Sequence, residues 1–211
     1  MSTKEKILAE ALALFNERGT DVVTVRHIAQ AAGMSHGNLC YHYPNTDAIV
    51  QSLYNQLVGH INEQITAVAT PGFELIAAGQ LVAHAMEALY RYRFLLLDFA
   101  GIMRRIPAIR DQHQALLKQR GLVFRQLLAY LREAGLMKPE LYAGHDEHLL
   151  TQLFIVGDFW IASAEWLYEG EAADKLPYYQ QVLTALLVPL LTEQGWKQWH
   201  EAAEQSRESQ T

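Results

Sequence analysis

The chain has 211 residues, 50% of them apolar and 19% charged, and its 17 Lys and Arg against 23 Asp and Glu give a formal net charge of −6. That balance excludes a mainly disordered polypeptide. No apolar run approaches the roughly 20 residues that cross a bilayer, and the best candidates, Leu95–Met103 and Phe154–Ala162, are interrupted by Asp98 and Asp158.

A lone cysteine, Cys40, rules out an intramolecular disulfide, and the N-terminus runs into an amphipathic pattern without a leader-type apolar core. The expected location is the cytoplasm. In chain order, the apolar spacing predicts helices almost throughout and no alternating strands. Ser2-x-x-Glu5 is a capping-box pattern ahead of a first helix, with Ile7, Leu8, Ala11, Leu12 and Phe15 on one face and Gly19 at its end. Thr24 is an N-cap for a short second helix that turns Ile28, Ala29 and Ala32 inward, with Gly33 at its end. Ser35 caps a third helix reaching about His42. After Pro44, Asn45 or Thr46 opens a fourth, in which Ile49, Leu53, Leu57, Ile61 and Ile65 form an i, i+4 row; carried to Ala69 it would run on the order of 36 Å. Thr70-Pro71-Gly72 ends it.

Longer helical segments are predicted at roughly 73–106, 108–134, 146–169 and 175–194, separated by Pro107, by Gly135 with Pro139, and by Gly170 to Pro177. Pro189 bends or ends the last of them. The polar residues 201–211 are expected to fray. The expected organisation is all-α: a three-helix head over residues 1–48, a larger helical body over 49–200, and a tail over 201–211.

A short helix, a glycine turn and a shorter helix make a helix-turn-helix, whose second helix enters the DNA major groove; here the motif spans about residues 24–43. The acidic total argues against generic nucleic-acid binding, yet Val22–Thr46 contains no Asp or Glu while holding Arg26, His27, His36 and His42. On the third helix the solvent-side residues are His36, Gly37, Asn38, Tyr41 and His42. Asn reads adenine with two hydrogen bonds, and His and Tyr reach phosphates or base edges.

The run Thr24-Val-Arg-His-Ile-Ala-Gln-Ala-Ala-Gly-Met-Ser-His-Gly-Asn-Leu-Cys-Tyr-His-Tyr-Pro-Asn-Thr-Asp-Ala-Ile49 resembles the DNA-binding segment of TetR/AcrR transcriptional regulators. The family pattern is T-x-x-x-I-A-x-x-A-G-(V/M/I)-S-x-G-x-(L/I)-Y-x-(H/Y)-F-x-(S/N)-K-(E/D)-x-(L/I). Three positions depart from it: Cys40 stands for the usual Tyr, Tyr43 for Phe, and Thr46 for a phosphate-directed Lys. With few Lys or Arg in the head, affinity for DNA should depend only shallowly on salt. The resemblance implies a homodimer on a palindromic double-stranded DNA operator, repression relieved by a small-molecule effector, and no cofactor. Phosphate contacts from the N-cap residues Thr24, Ser35 and Asn45 rest on it, while Thr46, in place of the lysine, can still hydrogen-bond a phosphate at the helix N-terminus. The DNA-facing set is therefore Thr24, Arg26, Ser35, His36, Gly37, Asn38, Tyr41, His42 and Thr46. The alternative is a regulator or adaptor of the same fold whose weakened head works through protein contacts.

An enzyme is not expected, because the chain offers no phosphate-binding glycine loop and no nucleophile motif. His145 and His148 have metal-compatible spacing but no further ligand nearby in sequence, so no metal is expected and their segment reads as a helix start. The body's aromatic residues are mostly core by their spacing. Its candidate effector contacts are His84, Asp98, Arg105, His113, Asp158 and Trp160, with an arginine of the same fold as the competing partner for either carboxylate. Two apolar faces are candidates for either dimer interface or core: Leu149, Leu153, Val156, Gly157, Trp160, Ala164 and Leu167, and Val182, Leu183, Leu186, Leu187, Leu190 and Leu191.

Overall fold

The computed structural model describes residues 2–68 and 75–208. In order they form α1 (Thr3–Arg18), α2 (Val25–Ala31), α3 (His36–His42), α4 (Thr46–Val68), α5 (Leu75–Arg91), α6 (Phe94–Leu97), α7 (Phe99–Arg105), α8 (Pro107–Glu133), α9 (His145–Trp166), α10 (Lys175–Thr184) and α11 (Glu193–Glu208). Among the described residues β pairing is confined to an isolated bridge between Met137 and Leu191. The break expected at Thr70-Pro71-Gly72 lies outside the described residues. The chain divides into two compact units. One runs to Asn62 and takes in Ala88–His113; the other comprises Glu63–Glu87 and the chain from Gln114 onward.

In the first unit the caps are local and follow the sequence. Ser2 and Glu5 close a reciprocal capping box, Ser35 Oγ accepts from Asn38 N–H (3.2 Å), and Asn45 Oδ1 accepts from Ala48 N–H (2.9 Å) to start α4. Each such cap satisfies a backbone donor that the first turn leaves open and is worth about 1 kcal/mol. Ile7, Ala11 and Phe15 of α1 are buried, as are Ile28 and Ala29 of α2, Leu39 of α3 and the α4 row Ile49, Leu53, Leu57 and Ile61. Removing each of these large side chains from water contributes about 1.5–3 kcal/mol.

The single segment expected at 73–106 is instead three helices. Asn16 explains the first break. Its Nδ2 donates to Arg91 O (2.9 Å) and its Oδ1 accepts from Phe94 N–H (3.1 Å), so one side-chain amide satisfies both backbone groups that the interruption frees. The Phe15 and Phe94 rings pack there at 5.1 Å between centroids.

The second unit is built on Leu128, Leu131, Leu136, Met137, Leu149, Leu190 and Leu191, with Phe124, Leu153, Leu186, Leu187 and Trp199 packed against them. This core decides how the two apolar faces are used. Leu149, Trp160, Ala164, Leu190 and Leu191 are buried within the protomer, while Leu153, Val156, Gly157, Leu183, Leu186 and Leu187 are half-buried and Leu167 and Val182 are exposed. Pro189 sits in a 3-10 turn, Val188–Leu190, after α10 has ended at Thr184. The last described helix, α11, runs from Glu193 through Glu208, and within the tail residues 209–211 lie outside the described residues. Thr192 starts it, with Oγ1 accepting from Gly195 N–H (3.1 Å), and Trp199 anchors it on the core.

His145 and His148 sit at the start of α9 beside Tyr142 rather than around a shared ligand. Tyr142 Oη and His148 Nδ1 share a hydrogen bond (3.2 Å), and the His145 ring meets Tyr142 edge-on at 5.1 Å. Glu140 Oε1 accepts from both Gly144 N–H (3.0 Å) and Asp146 N–H (3.3 Å), which caps the helix. Asp146 receives a two-pronged grip from Arg132, Nη1 to Oδ2 at 2.7 Å and Nη2 to Oδ1 at 2.8 Å. Those bonds hold its carboxyl below the usual carboxylate range, against the opposing effect of burial. Asp146→Asn is expected to cost about 1.5–3 kcal/mol at pH 7. Because the folded pKa is depressed, this contribution is fully present above the unfolded carboxylate value and is lost as pH falls through the folded one. Urea midpoints of the two proteins should therefore differ at pH 7 and converge in strong acid; an equal gap at both would contradict the assignment.

Candidate nucleic-acid interface

Residues Thr24–His42 fold as a helix-turn-helix for reasons visible one residue at a time. Thr24 Oγ1 accepts from His27 N–H (3.4 Å), and His27 Nδ1 accepts in return from Thr24 N–H (3.3 Å), a capping box with histidine in the place usually held by Glu or Gln. Gly33 turns the chain at φ +62°, a conformation that costs other residues about 1 kcal/mol or more. Ser35 then caps α3, and Leu39, fully buried, fixes its rotation. With Leu39 inward, His36, Gly37, Asn38 and Tyr41 are exposed and His42 is half-buried. Tyr41 is 86% exposed. A large ring held that far into water contributes nothing to the core. Thr24, Arg26 and Ser35 are exposed on the same motif, and Thr46 is the first residue of α4, half-buried.

Two features here were not evident in the sequence. Lys6 of α1 brings its Nζ within 3.8 Å of where a Cβ on Gly33 would stand, adding a cation at the turn. Cys40 has His36 Nε2 at 3.5 Å from its Sγ, one helical turn away.

Behind the motif lies an ionic cluster centred on Arg105. Its Nε donates to Asp47 Oδ1 (2.9 Å) in the first turn of α4, and its Nη2 donates to Thr20 Oγ1 (3.2 Å) in the loop before α2. Its Nη1 lies 3.7 Å from Asp21 Oδ1 and 3.8 Å from Asp98 Oδ2. Thr20, at 9% exposure the buried polar residue of the head, donates to Asp98 Oδ2 (2.7 Å). Gly101 makes room for this: an added Cβ would fall on Asp98 Oδ1.

Of the six candidate effector contacts, the structure thus brings Asp98 and Arg105 together and engages both with the head, where the arginine is the carboxylate's partner. His113 shares a hydrogen bond with Tyr54 Oη (3.1 Å) and meets Phe99 edge-on at 5.1 Å. His84 is exposed on α5. On α9, Asp158 is half-buried, and Trp160 is buried with its ring 5.6 Å from that of Tyr179. Among the described residues no group of three or more His, Cys, Asp or Glu is arranged to hold a metal ion. None of the described helices is long and apolar enough to cross a membrane.

Residues 7–53 match the model of the bacterial regulatory proteins of the tetR family, and residues 56–199 match a bacterial transcriptional repressor model of the same family. The chain belongs to the TetR family. That makes it a DNA-binding transcriptional regulator rather than an enzyme. The "HTH-type transcriptional repressor KstR2" of Rhodococcus jostii is 23% identical over 185 residues, covering 87% of this chain and 89% of that protein. Among solved structures, a TetR-family regulator from Marinobacter aquaeolei superposes with a TM-score of 0.86 at 22% identity, covering 97% of this chain and 98% of that one. The ketosteroid regulator KstR2 of Mycobacterium tuberculosis gives 0.62 at 24% identity, covering 91% and 96%. Family membership settles what the head is for, while at these identities the structural likeness carries the fold alone.

Proposed function

We propose that this chain is a homodimeric repressor that binds a palindromic operator through its helix-turn-helix and is released by a small-molecule effector in the helical body. The observation that carries the reading is the outer surface of α3, where His36, Asn38 and the 86%-exposed Tyr41 project from a helix pinned by Leu39. Asn38 reads a base edge, Tyr41 and the histidines reach bases or phosphates, and Thr24, Arg26, Ser35 and Thr46 fix the register on the backbone. Gly37 lets α3 approach the groove closely. The regulator works in the cytoplasm on double-stranded DNA.

The dimer is proposed to form through the side of α9 and α10 that the core leaves uncovered. Ile155 (55% exposed), Phe159 (50%) and Trp166 (80%) recur along α9 at i, i+4 and i+11, and Tyr178 (49%) and Val182 (37%) stand on α10. Trp160 with Tyr179, and Ser163 Oγ hydrogen-bonded to Tyr179 Oη (2.8 Å), fasten these two helices together. Paired with a second copy they would make a four-helix contact of the isologous kind.

Selection of bound duplexes from random DNA at low salt, using the full-length protein, tests the reading. Enrichment of a palindrome with half-sites about one turn apart, 10–10.5 bp, is expected. Asn38→Ala should weaken binding to it by about 1–3 kcal/mol and relax the base preference at one position of each half-site. A folded dimer that enriches no sequence would overturn the proposal in favour of an adaptor acting through protein contacts.

A further inference from the structure

The head's charge is unusual for a surface that meets DNA. Over residues 2–48 it has four fixed cations, Lys4, Lys6, Arg18 and Arg26, against five carboxylates, Glu5, Glu10, Glu17, Asp21 and Asp47. Three of the chain's nine histidines fall within this segment, and all three, His27, His36 and His42, lie on the helix-turn-helix. Protonating them would turn a head of one net negative charge into one of two net positive charges. Histidine is the side chain that makes this change near neutral pH.

The carboxylates that could compete for those protons are turned elsewhere. Asp21 and Asp47, which flank the acid-free stretch, are both drawn to Arg105 (3.7 and 2.9 Å). On α1, which packs against α2, Glu5 closes its own capping box with Ser2, and Glu17 lies 3.3 Å from Arg18. Glu10 is the remaining α1 carboxylate, half-buried, and α1 also supplies Lys6 beside the Gly33 turn. On α2 the neighbour of His27 is Arg26. On α3, His36 faces the Cys40 thiol (3.5 Å) and His42 meets the edge of Tyr41 (5.3 Å). Among the described residues none of the three histidines is ion-paired with a carboxylate.

We propose that DNA binding by this protein is coupled to proton uptake on His27, His36 and His42, so that protons act as a co-ligand of the operator and His27 joins the phosphate-facing residues. The inference rests on the DNA-binding reading above. His27 carries the distinctive part. Its cap bond uses Nδ1 as an acceptor, so that bond stands only while Nδ1 carries no proton. A phosphate set against the exposed ring favours the doubly protonated cation, which gives up the cap bond in exchange for a charge-assisted one. His36 and His42 lack any cationic neighbour on α3 that would do the same work.

The test is binding of the full-length protein to its selected operator duplex at fixed ionic strength and in reducing buffer, from pH 6.0 to 8.5. Calorimetry in two buffers of different ionisation enthalpy would count the protons taken up. Uptake of at least one proton per dimer is expected, so affinity should fall about tenfold or more between pH 7 and pH 8. The slope of log affinity against log salt should also be steeper at pH 6 than at pH 8, by up to about 0.9 per added phosphate contact. The triple variant His27→Gln, His36→Gln, His42→Gln removes the titration without breaking the motif, because Gln is an ordinary capping-box partner and a good helix former. Its profile should be flat.

A wild-type protein that binds its operator equally well across the range, with no buffer dependence, overturns the proposal and leaves the DNA-binding reading standing. A sloping profile that persists unchanged in the triple variant overturns the assignment to these histidines. Absence of sequence-specific binding at every pH overturns the DNA-binding reading, and this proposal with it.

Discussion

Replacing Arg105 by alanine is expected to lower the stability of the folded chain by about 2–3 kcal/mol and to weaken operator binding on the order of tenfold. The guanidinium is 35% exposed and its closest partner Asp47 is 40% exposed, so the loss should fall short of the 3–5 kcal/mol typical of fully buried pairs and above the 0–1 kcal/mol of surface ones. What raises it is the number of groups left behind. Asp47, Asp98 and Asp21 converge on one cation, at 2.9, 3.8 and 3.7 Å; Asp21 is 86% exposed, and without the cation the two partly buried carboxylates, Asp47 and Asp98, lose their counter-charge. Repulsion then acts between Asp47 and Asp98, and Thr20 loses the Arg105 hydrogen bond, at the two ends of the helix-turn-helix. The urea midpoint at fixed protein concentration checks the first part, and titration of the operator at pH 7 the second. Arg105→Lys should recover only part of either loss, since one ammonium cannot reach Asp47 and Thr20 with the geometry of a guanidinium fork. Asp98→Asn placed on Arg105→Ala should restore stability relative to the single variant, giving a coupling energy of about 1 kcal/mol or more. A change in midpoint worth less than about 0.5 kcal/mol would show the cluster to be ordinary surface charge.

That cluster also marks where reading the sequence runs out. The head was legible because its determinants are local. Ser2 with Glu5, Thr24, Ser35 and Asn45 announce helix starts, Gly33 announces a turn, and the i, i+4 row from Ile49 fixes which side of α4 is inward. The partners of Arg105 are not local. Thr20 lies 85 positions away and Asp47 lies 58 away, and no spacing rule connects residues at that distance. The break after Arg91 was missed for the same reason. Neither Tyr92 nor Arg93 is a helix breaker, and the interruption is tolerated because Asn16, from α1, bonds both freed backbone groups. In α11, Trp199 packs on the core of the second unit, a tertiary contact that no local spacing announces.

The choice between core and interface on α9 failed differently. That helix is apolar on more than one side, so periodicity identifies apolar stripes without ranking them. Only packing shows that Leu149, Trp160 and Ala164 are used internally while Ile155 and Phe159 stay about half exposed. The candidate DNA contacts could be named from the sequence because a helix-turn-helix is defined by short spacings. The candidate effector contacts could not be grouped, because a pocket is assembled from residues of separate helices.

Phe159→Glu is expected to convert the protein to a monomer and to abolish measurable operator binding at concentrations where the wild type saturates. Phe159 is half exposed in the protomer, so a carboxylate there can stay hydrated in the isolated chain, and the substitution is expected to cost the folded monomer no more than about 1–2 kcal/mol of lost packing. In an isologous dimer the same residue meets its own copy or a near neighbour across the two-fold axis. Two carboxylates would then be buried in an apolar contact with no cation among Ile155, Trp166, Tyr178 and Val182, and the desolvation penalty applies twice per dimer. The consequence for DNA follows from linkage of two half-site contacts. A dimer places the second recognition helix at its half-site once the first has bound, an advantage of about 10²–10⁴ in affinity that a monomer lacks. Sedimentation at micromolar concentration, circular dichroism and operator titration together separate the steps. A folded monomer that has lost operator binding places the dimer contact on α9 and α10 and makes it necessary for function. A Phe159→Glu protein that remains dimeric moves the contact elsewhere, and the exposed apolar residues of α8, Leu122, Val123 and Tyr130, become the next face to substitute.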